Sequence, residues 1–149
     1  MQPRSWTDQD FDAMSWHDCH IHAWRVIEGQ HGNGELEFDI DYILEWKRDD
    51  NAFSFVLVPA TIVFHNVSGL RVSLDWTTTS AALGPICLSA VEQTIEQRAH
   101  YSATLWTLSV NWPAGEIAFE ASGFAQHAWG REVVSKRQFL QPMERIRSA

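Results

Sequence analysis

Two scarcities set the first limits on this chain. Among its 149 residues it has only two cysteines, Cys19 and Cys87, with no Cys-x-x-Cys pair, which leaves no basis for a disulfide framework or an all-cysteine zinc site. Both read as small core residues. Positive charge is the second scarcity: 11 Lys and Arg stand against 19 Asp and Glu, for a net charge of -8. Nucleic acid and anionic membrane surfaces, which need basic patches, are excluded as partners on that ground. No segment approaches the roughly 18 consecutive apolar residues of a membrane span. The N-terminus leads into an acidic segment rather than an apolar leader, so the protein reads as cytoplasmic. Internal repeats, low-complexity tracts, heptads, phosphate-binding glycine loops, nucleophile elbows and zinc-protease helix motifs are also missing.

What the chain has is bulk. With 45% hydrophobic residues, eight tryptophans and eight phenylalanines, it can fill the core of one domain. Residues 1–14, polar and carrying Pro3, read as a loosely ordered lead-in, and 15–149 as a single globular β-rich domain. The apolar period is mostly two, the mark of half-buried strands. It is clearest in "ELEFDIDYILEW", where Leu36, Phe38, Ile40, Tyr42, Leu44 and Trp46 alternate with Glu35, Glu37, Asp39, Asp41 and Glu45, broken only by Ile43. The preceding "HDCHIHAWRVIE" places Cys19, Ile21, Ala23 and Ile27 on one side and Asp18, His20, His22 and Trp24 on the other. The turn-forming run Gly29 to Gly34 between them predicts an antiparallel hairpin. If Glu28 faces Glu35, Trp24 lies by Asp39, His22 by Asp41 and Asp18 by Glu45.

Further along, "FSFVLVPATIVF" is too long for one buried strand and carries Pro59, so it reads as two strands or one bent strand with the proline at an edge or bulge. A turn at Val67-Ser68-Gly69 leads to the strand "LRVSLDW", and residues 77–85 read as a long loop. Residues 86–97 stay open between a helix, from the capping-box spacing of Ser89 and Glu92, and an irregular strand. A second hairpin sets Trp106, Leu108, Val110 and Trp112 against Ile117, Phe119 and Ala121 across Pro113-Ala114-Gly115. A short helix is expected at Pro142 to Arg147. The fold class that follows is mainly β, an antiparallel β-sandwich or barrel of about seven or eight strands with one or two short helices.

The chemistry-bearing candidates are Asp18, His20, His22, Trp24, Glu37, Asp39 and Asp41, a polar strand face that could form a binding surface. Burying the opposite face is worth roughly 1.5 to 3 kcal/mol per large side chain, against roughly 0.2 to 1 for a cross-strand polar pair. The core therefore sets the register and the charged face follows. Carboxylates beside His20 and His22 should raise their pKa above the reference of about 6.5.

The string "DCHIH" resembles the first metal motif of the amidohydrolase superfamily, but that barrel takes about 250 residues. His20, His22, Glu28 and the later Pro113-Ala114-Gly115 resemble parts of the cupin motifs, although Ala118 stands where the second-motif histidine would fall. Over about 16–146, "WHDCHIH", "ELEFDIDYILEW", "VPATIVFHNVSGL" and "LSVNWPAGEIAFEASGFAQ" resemble small bacterial proteins of unassigned function, a likeness that carries no catalytic residues. Some small acidic bacterial domains act as immunity proteins that neutralise toxins. The leading expectation is a non-enzymatic binding protein without cofactor or metal, possessing an acidic face for a partner with a basic surface. The alternative is a metal-binding or metal-dependent cupin-like enzyme using His20 and His22.

Overall fold

In a computed structural model, residues 4–29, 33–77 and 84–147 are described. Among these residues nine strands join one antiparallel sheet: β1 (Ser5–Thr7), β2 (His20–Glu28), β3 (Gly34–Asp49), β4 (Ala52–Leu74), β5 (Ile86–Gln97), β6 (Ser102–Trp112), β7 (Gly115–Glu120), β8 (Gly123–Ala128) and β9 (Val133–Ser135). The order β4-β3-β2-β5-β6-β7 closes because β7 also pairs with β4. The chain is thus a barrel, joined between β2 and β5 only over His20–Ile21 and Ile86–Cys87. The short helix expected at Pro142 to Arg147 is a single 3-10 turn at Pro142–Glu144, and a further 3-10 segment lies at Asp8–Ala13.

The long strand β4 organises the barrel. Its first edge carries β3, while its second carries β9, β8 and β7 in turn. Pro59, paired with Asp41 on the β3 side, sits between the β9 and β8 ladders. Its carbonyl accepts from Trp129 N at 3.0 Å, so its missing N–H falls where the ladder is already interrupted. The turn expected at 67–69 is instead an irregularity within β4, where the register shifts between Ser68 and Arg71 and Gly69 takes φ 63°. The loop expected at 47–51 shrinks to Asp50-Asn51, whose φ values of 41° and 71° suit a two-residue hairpin turn. Residues 86–97 are strand, paired with β6 over Cys87–Gln97. The tips of the expected 29–34 turn and 77–85 loop, 30–32 and 78–83, lie outside the described residues.

The interior is aromatic. Phe64 packs at ring-centroid distances of 4.7 Å from Phe119, 5.2 Å from Trp106 and 5.6 Å from Phe124. The expected hairpin of β6 and β7 pairs Trp106 with Phe119 and Leu108 with Ile117, all buried. The described part of the lead-in pairs and packs against the barrel. Trp6 is buried, β1 pairs with β8, and Phe11 stacks on Trp16 and meets the edge of Trp106. Thr7 and Asp10 close a capping box around that turn.

The hairpin of β2 and β3 forms as expected, but in another register. Glu28 faces Gly34, Val26 faces Leu36 and Trp24 faces Phe38. A bulge then intervenes, beyond which Ile21 faces Ile40 and His20 faces Asp41. The extra residue is His22, and it reverses the alternation of β2. Ala23 and Ile27 move to the face of the acids, while Trp24 and Val26 move to the face of Phe38. A second shift at Leu44 leaves Trp46 exposed, whereas Ile43 is buried. Leu36, Phe38, Ile40 and Tyr42 point to the core as expected, with Leu44 half-buried against it.

Candidate functional site

Among the described residues the barrel interior between Trp16, Phe38, Phe64 and Leu108 holds about 10 Å³ of free space, less than one water occupies in the liquid. The outward side of β2 and β3 is where the polar residues converge.

Asp41 is the centre of that convergence. It points away from the core yet is 0% exposed, because the segment after β9 returns across it. Leu140 N donates to Asp41 Oδ2 at 2.7 Å, His22 Nε2 reaches the same oxygen at 2.6 Å, and Arg145 Nη1 donates to Oδ1. The other terminal nitrogen of Arg145 donates to Asp39. Both carboxylate oxygens of Asp41 are thus engaged, as a buried charge requires. Arg145 in turn lies over the Trp129 ring at 5.3 Å, with Arg147 over it at 5.6 Å. A bridge between Gly130 and Arg147 closes the returning segment against the barrel.

The histidine pKa values move opposite to expectation. Burial, followed by the Arg145 guanidinium, pushes His22 down to about 4, with Asp39 acting the other way. The ring is neutral at pH 7 and donates Nε2–H to Asp41. The nearby carboxylates do not charge it because Arg145 already neutralises them and water is largely excluded. His20 is also lowered, first by burial, against the raising influence of the Gln138 and Asp18 backbones. Its ring lies 5.2 Å from Phe139, and its buried Nδ1 has no hydrogen-bond partner.

The remaining candidates divide. Asp18, with φ 62°, accepts from Gln138 Nε2 at 3.0 Å and belongs to the anchorage of the C-terminal segment. Glu37 is bound by Arg25, and Glu35 by His65 at 2.8 Å. Four of the acids that looked like a free anionic surface, Glu35, Glu37, Asp39 and Asp41, thus have partners within the chain. Trp24, Glu37 and Asp39 meet again in a groove of about 510 Å³ whose other walls include Arg25, Trp129 and Arg147. That volume lies in the range of small-molecule sites, roughly 300 to 1,000 Å³.

Among the described residues no three His, Cys, Asp or Glu converge as a metal site. Burial holds Cys19 up at about 12 and Cys87 at about 11, so both are protonated thiols rather than nucleophiles. Among the described residues no helix is long and apolar enough to cross a membrane. The chain matches no family model, and no curated protein or solved structure is significantly similar to it.

Sequence reasoning missed Trp129, Leu140, Arg145 and Arg147. One signal was available: Arg131, Lys136, Arg137, Arg145 and Arg147, five of the 11 basic residues, fall in the last 19 positions of an acidic chain. A basic tail and an acidic strand in one molecule are natural partners.

Proposed function

We propose that the protein is a non-enzymatic cytoplasmic binding protein that takes its ligand in the outer groove walled by Trp129. The observation that carries this reading is the pairing of a filled barrel with a groove of about 510 Å³ on its outside. The walls combine the Trp129 indole with charged groups, the mixture of apolar surface and a few fixed polar groups that small-ligand sites use. Supporting the absence of catalysis, the buried histidine and carboxylate groups are committed to holding the C-terminal segment.

An immunity-type version, with a basic protein docking on the acidic strand face, has less to work with. Arg145, Arg25 and His65 already occupy the charges that would steer such a partner. A thermal-shift screen of small polar and aromatic compounds tests the groove reading. A ligand should raise the Tm of the wild type and lose that effect in Ala23→Trp, which fills the groove from an exposed position on the face of Asp39. Compounds that stabilise both proteins equally would place binding elsewhere and sink the reading.

A further inference from the structure

Resting on that groove, we infer that its ligand is a small organic anion, a carboxylate or phosphate carried on a flat apolar body, with Arg147 as the anchor for the charge. The inference comes from what the groove has left to offer. Arg25 is taken by Glu37, and Arg145 by Asp39 and Asp41. Arg147 lines the same groove, and the contact of its guanidinium is the face of Trp129; among the described residues it has no carboxylate partner. A protein of net charge -8 therefore presents, in this groove, a positive group without an ion-pair partner among the described residues. Its five N–H donors match a carboxylate or phosphate in geometry as well as charge.

The other walls fit the rest of such a molecule. Ala23, the Thr61 methyl and the uncovered parts of Trp129 supply apolar contact for the body of the ligand. Thr61 adds a hydroxyl, and His127 is fixed through Nδ1 by Ser5 Oγ at 2.9 Å. A cationic ligand is disfavoured twice over. The carboxylates it would seek are bound by arginines, and the Trp129 face it could stack on already carries Arg145 and Arg147.

The test is a titration of isotope-labelled protein with four probes, benzoate, phenyl phosphate, benzyl alcohol and benzamidine, followed by NMR at the indole N–H group of Trp129 and the amides of β2 and β3. Benzoate or phenyl phosphate should bind at least about tenfold more tightly than benzyl alcohol, the margin of one charge-assisted pair. The tighter of the two identifies the anionic head. Arg147→Gln, a change at an exposed terminal residue, should erase that margin while the spectrum stays that of a folded protein. If benzamidine or benzyl alcohol binds the groove as well as the anions do, the anion assignment is overturned and the groove reading stands. An undiminished margin in Arg147→Gln overturns the role of Arg147. If no probe shifts the groove signals, both the assignment and the groove reading fall together.

Discussion

Replacing Arg145 with Met is the most searching perturbation of the network that covers β3. The side chain of Arg145 is 10% exposed, that of Asp41 0% and that of Asp39 39%. Asp39 can recover water, so its share of the loss is small, about 0 to 1 kcal/mol. Asp41 cannot. Removing one partner of a buried pair costs about 3 to 5 kcal/mol, but Asp41 keeps the donors Leu140 N and His22 Nε2, which points to the lower end, about 3 kcal/mol near neutral pH. The pH dependence is more diagnostic than the size. Arg145 is one of the groups that hold the His22 pKa down; without it, the folded-state pKa of His22 rises and the imidazolium becomes a counter-ion for Asp41. The variant then loses less on acidification than the wild type does, and the gap between the two proteins narrows from pH 7.5 to pH 5. Urea denaturation followed by tryptophan fluorescence reads both quantities. A gap that is constant across this range, or below about 1 kcal/mol at pH 7.5, would refute the view that Arg145 is the main compensation for a buried Asp41 charge.

Three further outcomes are expected. The folded pKa of His22, about 4, lies below the unfolded reference of about 6.5, so its contribution is complete above 6.5 and is lost as pH falls toward 4. Discounted for a side chain still 22% exposed, the acid loss is about 2 kcal/mol; it should be absent in His22→Gln, as denaturant midpoints at pH 7.5 and 4.5 will read. Trp16→Phe removes the donor at 2.8 Å from Oε1 of buried Gln126, whose Nε2 already lacks a partner, and should cost about 1 to 3 kcal/mol in the same assay. Ile40→Asp places a carboxylate in the core, where Ile40 is 1% exposed, and should leave no soluble folded protein, whereas Asp39→Asn should cost no more than about 1 kcal/mol; equal effects on soluble yield and Tm would mean the faces of β3 are reversed.

Legibility from sequence followed the range of the forces involved. Alternation over residues 36–42 reflects local geometry and a continuous buried face, so the hairpin, its antiparallel sense and the inward set Phe38, Ile40 and Tyr42 could be read directly. The bulge at His22 could not. A one-residue insertion leaves composition unchanged and is specified by partners far along the chain, Asp41 on β3 and Leu140 and Arg145 beyond β9. Residues 86–97 were ambiguous because Ser89 and Glu92 satisfy a helix signal, and pairing with β6 overrides a local preference of that size. The histidine pKa values were misjudged for a related reason: adjacency to acids was visible in the strands, but the cation that neutralises those acids enters from the tail.

That same tail changes what an acidic strand means. Glu37, Asp39 and Asp41 looked like a surface offered to a basic partner, because strand periodicity says only that they face away from the core. Facing away from one core does not mean facing water. Leu140, 1% exposed, lies over the outer side of the barrel with its N–H on Asp41, so this part of the polar face is the floor of a second, smaller buried layer. Once Arg145 spans Asp39 and Asp41, the negative charge is spent inside the molecule. Trp129, pinned beneath Arg145 and Arg147, becomes a wall of the remaining opening. The residues that suggested attraction of a cation therefore build one side of a groove in which, among the described residues, Arg147 is the charge without an ion-pair partner.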